Sequence, residues 1–284
     1  MKNSTIKPIK SLGQNFLNDM NIVRHIVESA DLTQEDMVIE VGPGMGAMTG
    51  ELATYAGLVL AVEIDERLQP VLSVLETIHG NIKVVYDDIL KVNIRNLIEE
   101  QFAANPQLQR VKIISNLPYY ITTPIIMAFL EGDVPYLHSM TFMVQKEVGQ
   151  RMTATPGGKE YGALSVSVGF FAEGKMLFTV PPHCFNPQPN VDSCVVRLLI
   201  RENPPYELEN KEYFFKIIKA SFCQRRKMLV NSLTNAGYLG ITREDVREAL
   251  ASINRNELVR GEVLSPEEFA TIANFLLHKS SLRV

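Results

Sequence analysis

Along the N-terminal part of the chain, apolar positions follow two alternating rhythms. Short runs at residues 37–41, 58–63, 82–86, 111–115 and 140–144 are mostly apolar and rich in β-branched residues, which suits buried strands. Between them lie segments that read as helices: 46–55, one opening near Glu66 with Pro70 in its first turn, 94–102, and one after Pro124. Ahead of the first strand, Ile22, Val23, Ile26, Val27 and Ala30 share a helix face that Asn18 or Asp19 can cap. Such βαβ alternation requires right-handed crossovers and predicts a parallel sheet with helices on both faces. Residues 175–180 and 191–200 read as an antiparallel strand pair at the sheet edge, separated by a proline-rich loop. The stretch 162–171 fits a strand by its Val166, Val168, Phe170 alternation and a helix by its length. After Asn203-Pro204-Pro205 only helical patterns remain, at 213–222, 227–236, 243–253 and 266–277. The expected organisation is an α/β domain over 1–203 followed by a small all-helical domain over 204–284.

With 46% hydrophobic residues among 284, the chain can bury a sizeable core. Its three cysteines, Cys184, Cys194 and Cys223, show no paired metal spacing, and an odd number is a poor disulfide framework. A reducing, cytoplasmic setting is expected. Lys2, Lys7 and Lys10 precede no apolar run, so no signal peptide is expected, and no apolar stretch approaches a membrane span. A net charge of −4 argues against a general nucleic-acid binder, because phosphate contacts rely on Lys and Arg. The charge is uneven, however. Residues 201–284 hold 13 basic and 11 acidic residues (+2), leaving −6 elsewhere, so any nucleic-acid footprint has to come from local patches.

The turn Glu40-Val41-Gly42-Pro43-Gly44-Met45-Gly46-Ala47 ends the first strand and opens a helix. Glycines there let the backbone approach a ligand, although taken alone they also fit a tight turn. Glu63 ends the next strand, 21 residues beyond Gly42, where a carboxylate can accept from ribose hydroxyls. Asp88 follows the third strand and can accept from an adenine amino group. Gly42, Gly44 and Ala47 also match the spacing used for dinucleotides, so an NAD enzyme is a competing reading. Two features disfavour it: the five histidines are scattered and offer no hydride-transfer acid, and a distinctive turn follows the fourth strand.

That turn lies within Ile113–Ile126, IISNLPYYITTPII, where a buried strand breaks into Asn116-Leu117-Pro118-Tyr119 and Thr122, Thr123 and Pro124 open a new helix. Adenine N6 is a poor nucleophile because its lone pair is delocalised into the ring. The Asn116 amide oxygen and the Leu117 carbonyl can accept its two N–H hydrogens and aim the lone pair at a sulfonium methyl. Catalysis would then be positioning plus stabilisation of developing positive charge, with no strong base. Tyr119 supplies a stacking face, worth about 1–3 kcal/mol per base. In the loop 180–191, Pro181, Pro182, Pro187 and Pro189 can hold Phe185 as a second stacking face; a core aromatic under a rigid loop is the alternative. The base rate favours a trans Leu117–Pro118 bond.

Five segments occur in order: Lys10-Ser11-Leu12-Gly13-Gln14-Asn15-Phe16-Leu17, the 40–46 turn, Asn116–Tyr119, Phe185-Asn186-Pro187-Gln188-Pro189-Asn190-Val191-Asp192-Ser193, and Phe222-Cys223-Gln224-Arg225-Arg226-Lys227. Together they resemble the ribosomal RNA adenine dimethyltransferase family, and within it the bacterial small-subunit members, over nearly the whole chain. The resemblance implies a Rossmann-like S-adenosylmethionine-dependent methyltransferase sheet with a helical C-terminal domain contacting RNA. It implies dimethylation at N6 of two adjacent adenosines in the 3′-terminal hairpin loop of 16S rRNA, within the immature small subunit. Carried over, Gln14, Asn15 and Leu17 close over the methionine end of S-adenosyl-L-methionine and Gly42 and Gly44 lie beside it. Glu63 holds the ribose, Asp88 the adenine amino group, and Asn116 bridges cofactor and target. Asp88 is preferred to Asp87 because Ile89-Leu90 follows it. Tyr120 and Thr122 stand where many relatives have Asn and Ser. A related family, the 23S rRNA adenine methyltransferases of macrolide resistance, shares the Asn-x-Pro-Tyr turn; the 12–17 segment and Arg225-Arg226-Lys227 favour the small-subunit enzyme. The basic triplet reads as a phosphate contact or a solvated helix start, and Lys146, Arg151 and Lys159 as a second RNA contact or a mobile loop. An assembly factor with subordinate catalysis is a further alternative, and monomer is the default state.

Overall fold

The computed structural model describes residue 9 and residues 13–281. Nine strands are present among them: β1 (Phe16–Leu17), β2 (Asp36–Val41), β3 (Leu58–Glu63), β4 (Ile82–Tyr86), β5 (Arg110–Asn116), β6 (Leu137–Gln145), β7 (Ala172–Val180), β8 (Phe185–Asn186) and β9 (Ser193–Ile200). The helices are α1 (Met20–Glu28), α2 (Ala47–Tyr55), α3 (Gln69–His79), α4 (Ile94–Ala104), α5 (Thr122–Glu131), α6 (Lys146–Met152), α7 (Ala163–Phe171), α8 (Lys211–Cys223), α9 (Leu229–Thr234), α10 (Arg243–Ser252) and α11 (Pro266–Ser281). The chain divides into two compact units. One holds the residues up to Gly149 together with Gly174–Ile200; the other holds Gln150–Glu173 and the residues from Arg201 onward.

The first unit is a seven-stranded sheet in the order β4-β3-β2-β5-β6-β9-β7. Neighbours from β4 to β6 run parallel, and β9 joins β6 antiparallel. Every residue of β2 and β3 is buried, as expected for central strands covered on both faces. The chain builds outward from β2 to β4, then returns to place β5 on the other side of β2. That reversal makes a topological switch point, where open α/β sheets hold ligands at their strand ends. Pairing of β2 with β5 runs from Asp36↔Arg110 to Ile39↔Ile113. Beyond it, the buried Ser115 hydroxyl accepts from Val41 N at 2.7 Å and donates to Val41 O at 2.6 Å. A side chain replaces the backbone ladder, and the strands part there.

At the opposite end of β2, Asp36 is fully buried and gathers two cations: Arg110 Nε lies 3.0 Å from Oδ1 and Lys112 Nζ 3.1 Å from Oδ2. Thr33 donates to Oδ2 from its N–H and its hydroxyl, at 2.7 and 3.1 Å. Lys112, itself buried, also donates to the carbonyls of Ala30 and Asp31. Charges this deep persist only when paired and hydrogen-bonded.

The second unit is helical and packs around Phe214, Ile217, Leu229, Leu233, Phe269 and Leu276. It differs from the single cut expected at residue 203, because 150–173 belongs with it. The ambiguous stretch 162–171 is the helix α7, buried at Leu164, Val166, Val168 and Phe170, with Val166 inside the helical core. Its apolar residues alternate because the helix is buried nearly all round, which erases the one-sided stripe. Tyr161 adds a staple, donating from its hydroxyl to the Leu264 carbonyl at 3.0 Å. The second and fourth helices expected beyond residue 203 also shift: α9 is shorter than the 227–236 span and α11 runs on to Ser281. Among the described residues no helix is long and apolar enough to cross a membrane, and no group of His, Cys, Asp and Glu is arranged to hold a metal.

Asp36→Ala leaves Lys112 buried without its carboxylate. We expect a loss of about 3–5 kcal/mol, read as a lowered urea midpoint with unchanged m-value.

Candidate active site

The end of β2 turns through Gly42, Gly44 and Gly46, with φ of +68°, +58° and +78°. Only glycine adopts this region without strain. Space decides what each contributes. A Cβ on Gly44 would meet the Phe16 ring at 2.9 Å, and one on Gly46 the Leu75 side chain at 2.2 Å; at Gly42 nothing lies within 4 Å. Gly42 therefore faces an open volume, and its missing side chain leaves room for a ligand. The strand ends deliver Asp88 after β4, Glu63 on β3, Gly42 after β2 and Asn116 on β5, in the lateral order of the sheet, and all four line one cleft.

Two buried carboxyl groups lie at the floor. Glu63 is 3% exposed and accepts from the N–H of Gly44 at 3.1 Å and of Asp65 at 2.9 Å. Burial raises its pKa, and those two donors work in the opposite direction. Each oxygen keeps a lone pair for a diol. Glu40 is 1% exposed, and burial pushes its carboxyl up to about 8, with the charge of Glu63 adding a smaller push and Thr49 opposing. Its Oε2 has no hydrogen-bond partner among the described residues. A buried acid with one unpartnered oxygen, lining a cleft, suits a cationic group, which would draw off its proton. Pattern reading passed over Glu40 as part of the glycine turn, though an acid inside an otherwise apolar strand is itself a signal.

At the end of β5, Leu117 N–H donates to the Met143 carbonyl at 3.1 Å, while no donor among the described residues takes the Leu117 carbonyl. Asn116 Nδ2 donates to the Asn15 carbonyl at 3.0 Å, which leaves Oδ1 as the atom free for the cleft. The Tyr119 hydroxyl lies 2.5 Å from Oγ of the fully buried Ser193, so the ring plane is pinned; burial raises the phenol's pKa. Thr122 turns its hydroxyl to the Pro118 carbonyl at 2.9 Å, holding the turn against α5. Leu117–Pro118 is trans, and Asn186–Pro187 is cis.

Gln14, Asn15, Leu17, Gly42, Gly44, Glu63, Asp88, Leu117, Pro118 and Tyr119 all line this cleft with Asn116. Lys10, Ser11 and Leu12 fall outside the described residues. Phe185 requires correction. It is 2% exposed, pairs with Leu17 across the two-residue strands β1 and β8, and packs among Val23, Ile26 and Met143. The aromatic gains more from full burial beneath β1 than the rigid loop would give it as a presented face. The basic triplet is also displaced. Arg225, Arg226 and Lys227 occupy the exposed turn between α8 and α9 and do not start a helix. Arg225 is held by the Lys159 carbonyl at 2.7 Å and by Glu262 at 3.7 Å, whereas Arg226 and Lys227 have no side-chain partner among the described residues. Lys146 opens α6 and faces Asp192 at 3.5 Å; Arg151 is exposed in the last turn of that helix.

The raised pKa of Glu40 sets a direction for stability. The folded chain keeps a proton that the unfolded chain releases above its ordinary value of 4.5, so stability is greatest below that value and falls until about 8. Across this window we expect Glu40→Gln to remove a decline of up to about 1.4 kcal/mol per pH unit. Urea midpoints of the ligand-free protein at intervals between those limits measure it.

Residues 6–278 match the family described as ribosomal RNA adenine dimethylase. The chain is 47% identical over 272 residues to Ribosomal RNA small subunit methyltransferase A of Clostridioides difficile (strain 630), covering 96% of this chain and 92% of that one. Its namesake from Listeria monocytogenes serovar 1/2a is 47% identical over 268 residues, covering 94% and 90%. Among solved structures, the 23S rRNA methyltransferase ErmE superposes with a TM-score of 0.68 at 27% identity, over 92% of this chain and 99% of that one. A dimethyladenosine transferase from Plasmodium falciparum shares the fold, with a TM-score of 0.72 at 23% identity over 90% and 95%. A family match over most of the length and relatives at 47% identity place the molecule: the chain belongs to the ribosomal RNA adenine dimethylase family.

Proposed function

We propose that this protein dimethylates N6 of two adjacent adenosines in the 3′-terminal hairpin loop of 16S rRNA, acting on the immature small ribosomal subunit in the cytoplasm. As a family member it is an S-adenosylmethionine-dependent methyltransferase. The cleft fits that cofactor: Glu40 has an unpartnered oxygen for an ammonium, Gly42 faces open space, and Glu63 keeps acceptor capacity for a ribose diol. Asp88 would take the adenine amino group. Its carboxylate already accepts from Leu90 N–H at 3.0 Å and faces Lys91 at 3.5 Å, which orients it. When bound, the cofactor supplies an electrophilic methyl on a sulfonium.

The observation that carries the reading is the pair of free acceptors at the end of β5, Asn116 Oδ1 and the Leu117 carbonyl. Two acceptors on a conjugated amine favour a pyramidal nitrogen and direct its lone pair. As positive charge grows on that nitrogen, the same oxygens hold its hydrogens more strongly, so they stabilise the transition state more than the ground state. The product loses its proton readily and needs no dedicated base. After the first transfer the amine keeps one hydrogen, so the second proceeds with one contact fewer. Tyr119, pinned by Ser193, offers one stacking face, and Phe185 drops out of the base sandwich. Arg226 and Lys227, exposed and unengaged, would meet phosphates, with Lys146 and Arg151 as further contacts.

Asn116→Ala should lower methyl transfer by about 100-fold or more while S-adenosylmethionine binding stays measurable by calorimetry. The assay supplies labelled cofactor with unmethylated 30S or 50S particles and maps the modified adenines. Modification confined to 50S particles would point to a 23S target. If a Glu63→Ala protein, deficient in cofactor binding, still supports full subunit maturation, then the assembly role dominates. Replacing Arg226 and Lys227 by Ala should weaken RNA binding across sequences and reduce the salt slope by about two, measured by titration at several salt concentrations.

A further inference from the structure

Asn116 can serve an amine in only one of its two amide orientations. Its nitrogen donates to the Asn15 carbonyl, so the position of the 13–17 segment decides which atom faces the cleft. Gln14 ties that segment down. Its Oε1 accepts from Ile9 N–H at 2.7 Å and its Nε2 donates to Asp65 Oδ2 at 2.9 Å. Asp65 is 5% exposed and does not itself line the cleft. It is immobilised in turn, because Arg67 Nε and Nη2 lie 2.8 and 2.6 Å from its oxygens and its own N–H donates to Glu63. The Arg67 guanidinium holds the Asp65 carboxyl well down, at about 2.

We infer that Asp65 is a positioning residue for methyl transfer, acting through Gln14 on the Asn15 carbonyl to orient the Asn116 amide oxygen toward the target amine. The inference rests on the methyl-transfer reading above. It joins two ends of the cleft, since one residue steadies Glu63 through its N–H and the 13–17 segment through its carboxylate. An amide free to rotate would present a donor to the amine for part of the time, and the rate would fall without loss of cofactor.

The test compares single-turnover methyl transfer to unmethylated 30S particles, at saturating cofactor, with cofactor affinity from calorimetry. Asp65→Ala should transfer about 10- to 100-fold more slowly, with an affinity for S-adenosylmethionine within about threefold of the parent. The conservative Asp65→Asn keeps an amide oxygen that can still accept from Gln14 Nε2 and should recover most of the rate. Should Asp65→Ala fail to fold, Asp65→Ser, too short to reach Gln14 Nε2, replaces it. An unchanged rate in Asp65→Ala overturns the inference, as does a slow rate that tracks lost affinity, or one that Asp65→Asn does not restore. Asn116→Ala is the control arm. If it is inactive while Asp65→Ala is fully active, only the positioning role falls; if it is fully active, the functional reading falls first.

Discussion

Beyond Ile39 and Ile113 the two central strands make no further ladder pairs, and the Ser115 hydroxyl takes over as both donor and acceptor to Val41. The satisfied backbone of a buried strand normally forbids a gap. Here one side chain meets that demand, so β2 and β5 can separate without orphaned polar groups. Gly42 emerges from one lip of the gap and Asn116 from the other. Cofactor-type and target-type groups thus face each other at the switch point, although they come from strands far apart in sequence.

The two acids of β2 illustrate how pairing separates scaffold from chemistry. Asp36 and Glu40 are both fully buried on the same strand, toward its opposite ends. Asp36 is met by two cations and two Thr33 donors, which makes it part of the framework. Glu40 has an oxygen with no partner among the described residues. A fold that sets two cations against one buried acid and, among the described residues, none against the other holds the second for something that arrives from outside.

Much of this was legible from local pattern. The β-branched runs marked the parallel strands, the glycines and Glu63 marked the ligand end, and Asn116–Tyr119 could be placed because it follows a strand. What escaped was set by distant contacts. β1 and β8 have two residues each, too short for periodicity, and their pairing alone decides that Phe185 is core. The 150–173 segment joins the helical unit through the burial of α7 and the Tyr161 staple, neither of which leaves a mark at the segment boundaries. Of the two readings of Arg225–Lys227, the helix start fails, because Met228 and Leu229 resume the helical rhythm immediately after the turn and hide the break. Asp65 carried no signal, since its role depends on a residue 51 positions away.

One member of the acceptor pair, the Leu117 carbonyl, belongs to the main chain. No exchange of side chain at position 117 deletes it, and the side chain there, 1% exposed, answers to packing alone. Selection can tune or abolish Asn116 in a single step, but the neighbouring acceptor disappears only if the turn itself is rebuilt. Half of the amine-holding apparatus is therefore inherited with the backbone path, and a lineage that drifts in sequence while keeping the fold keeps that half intact.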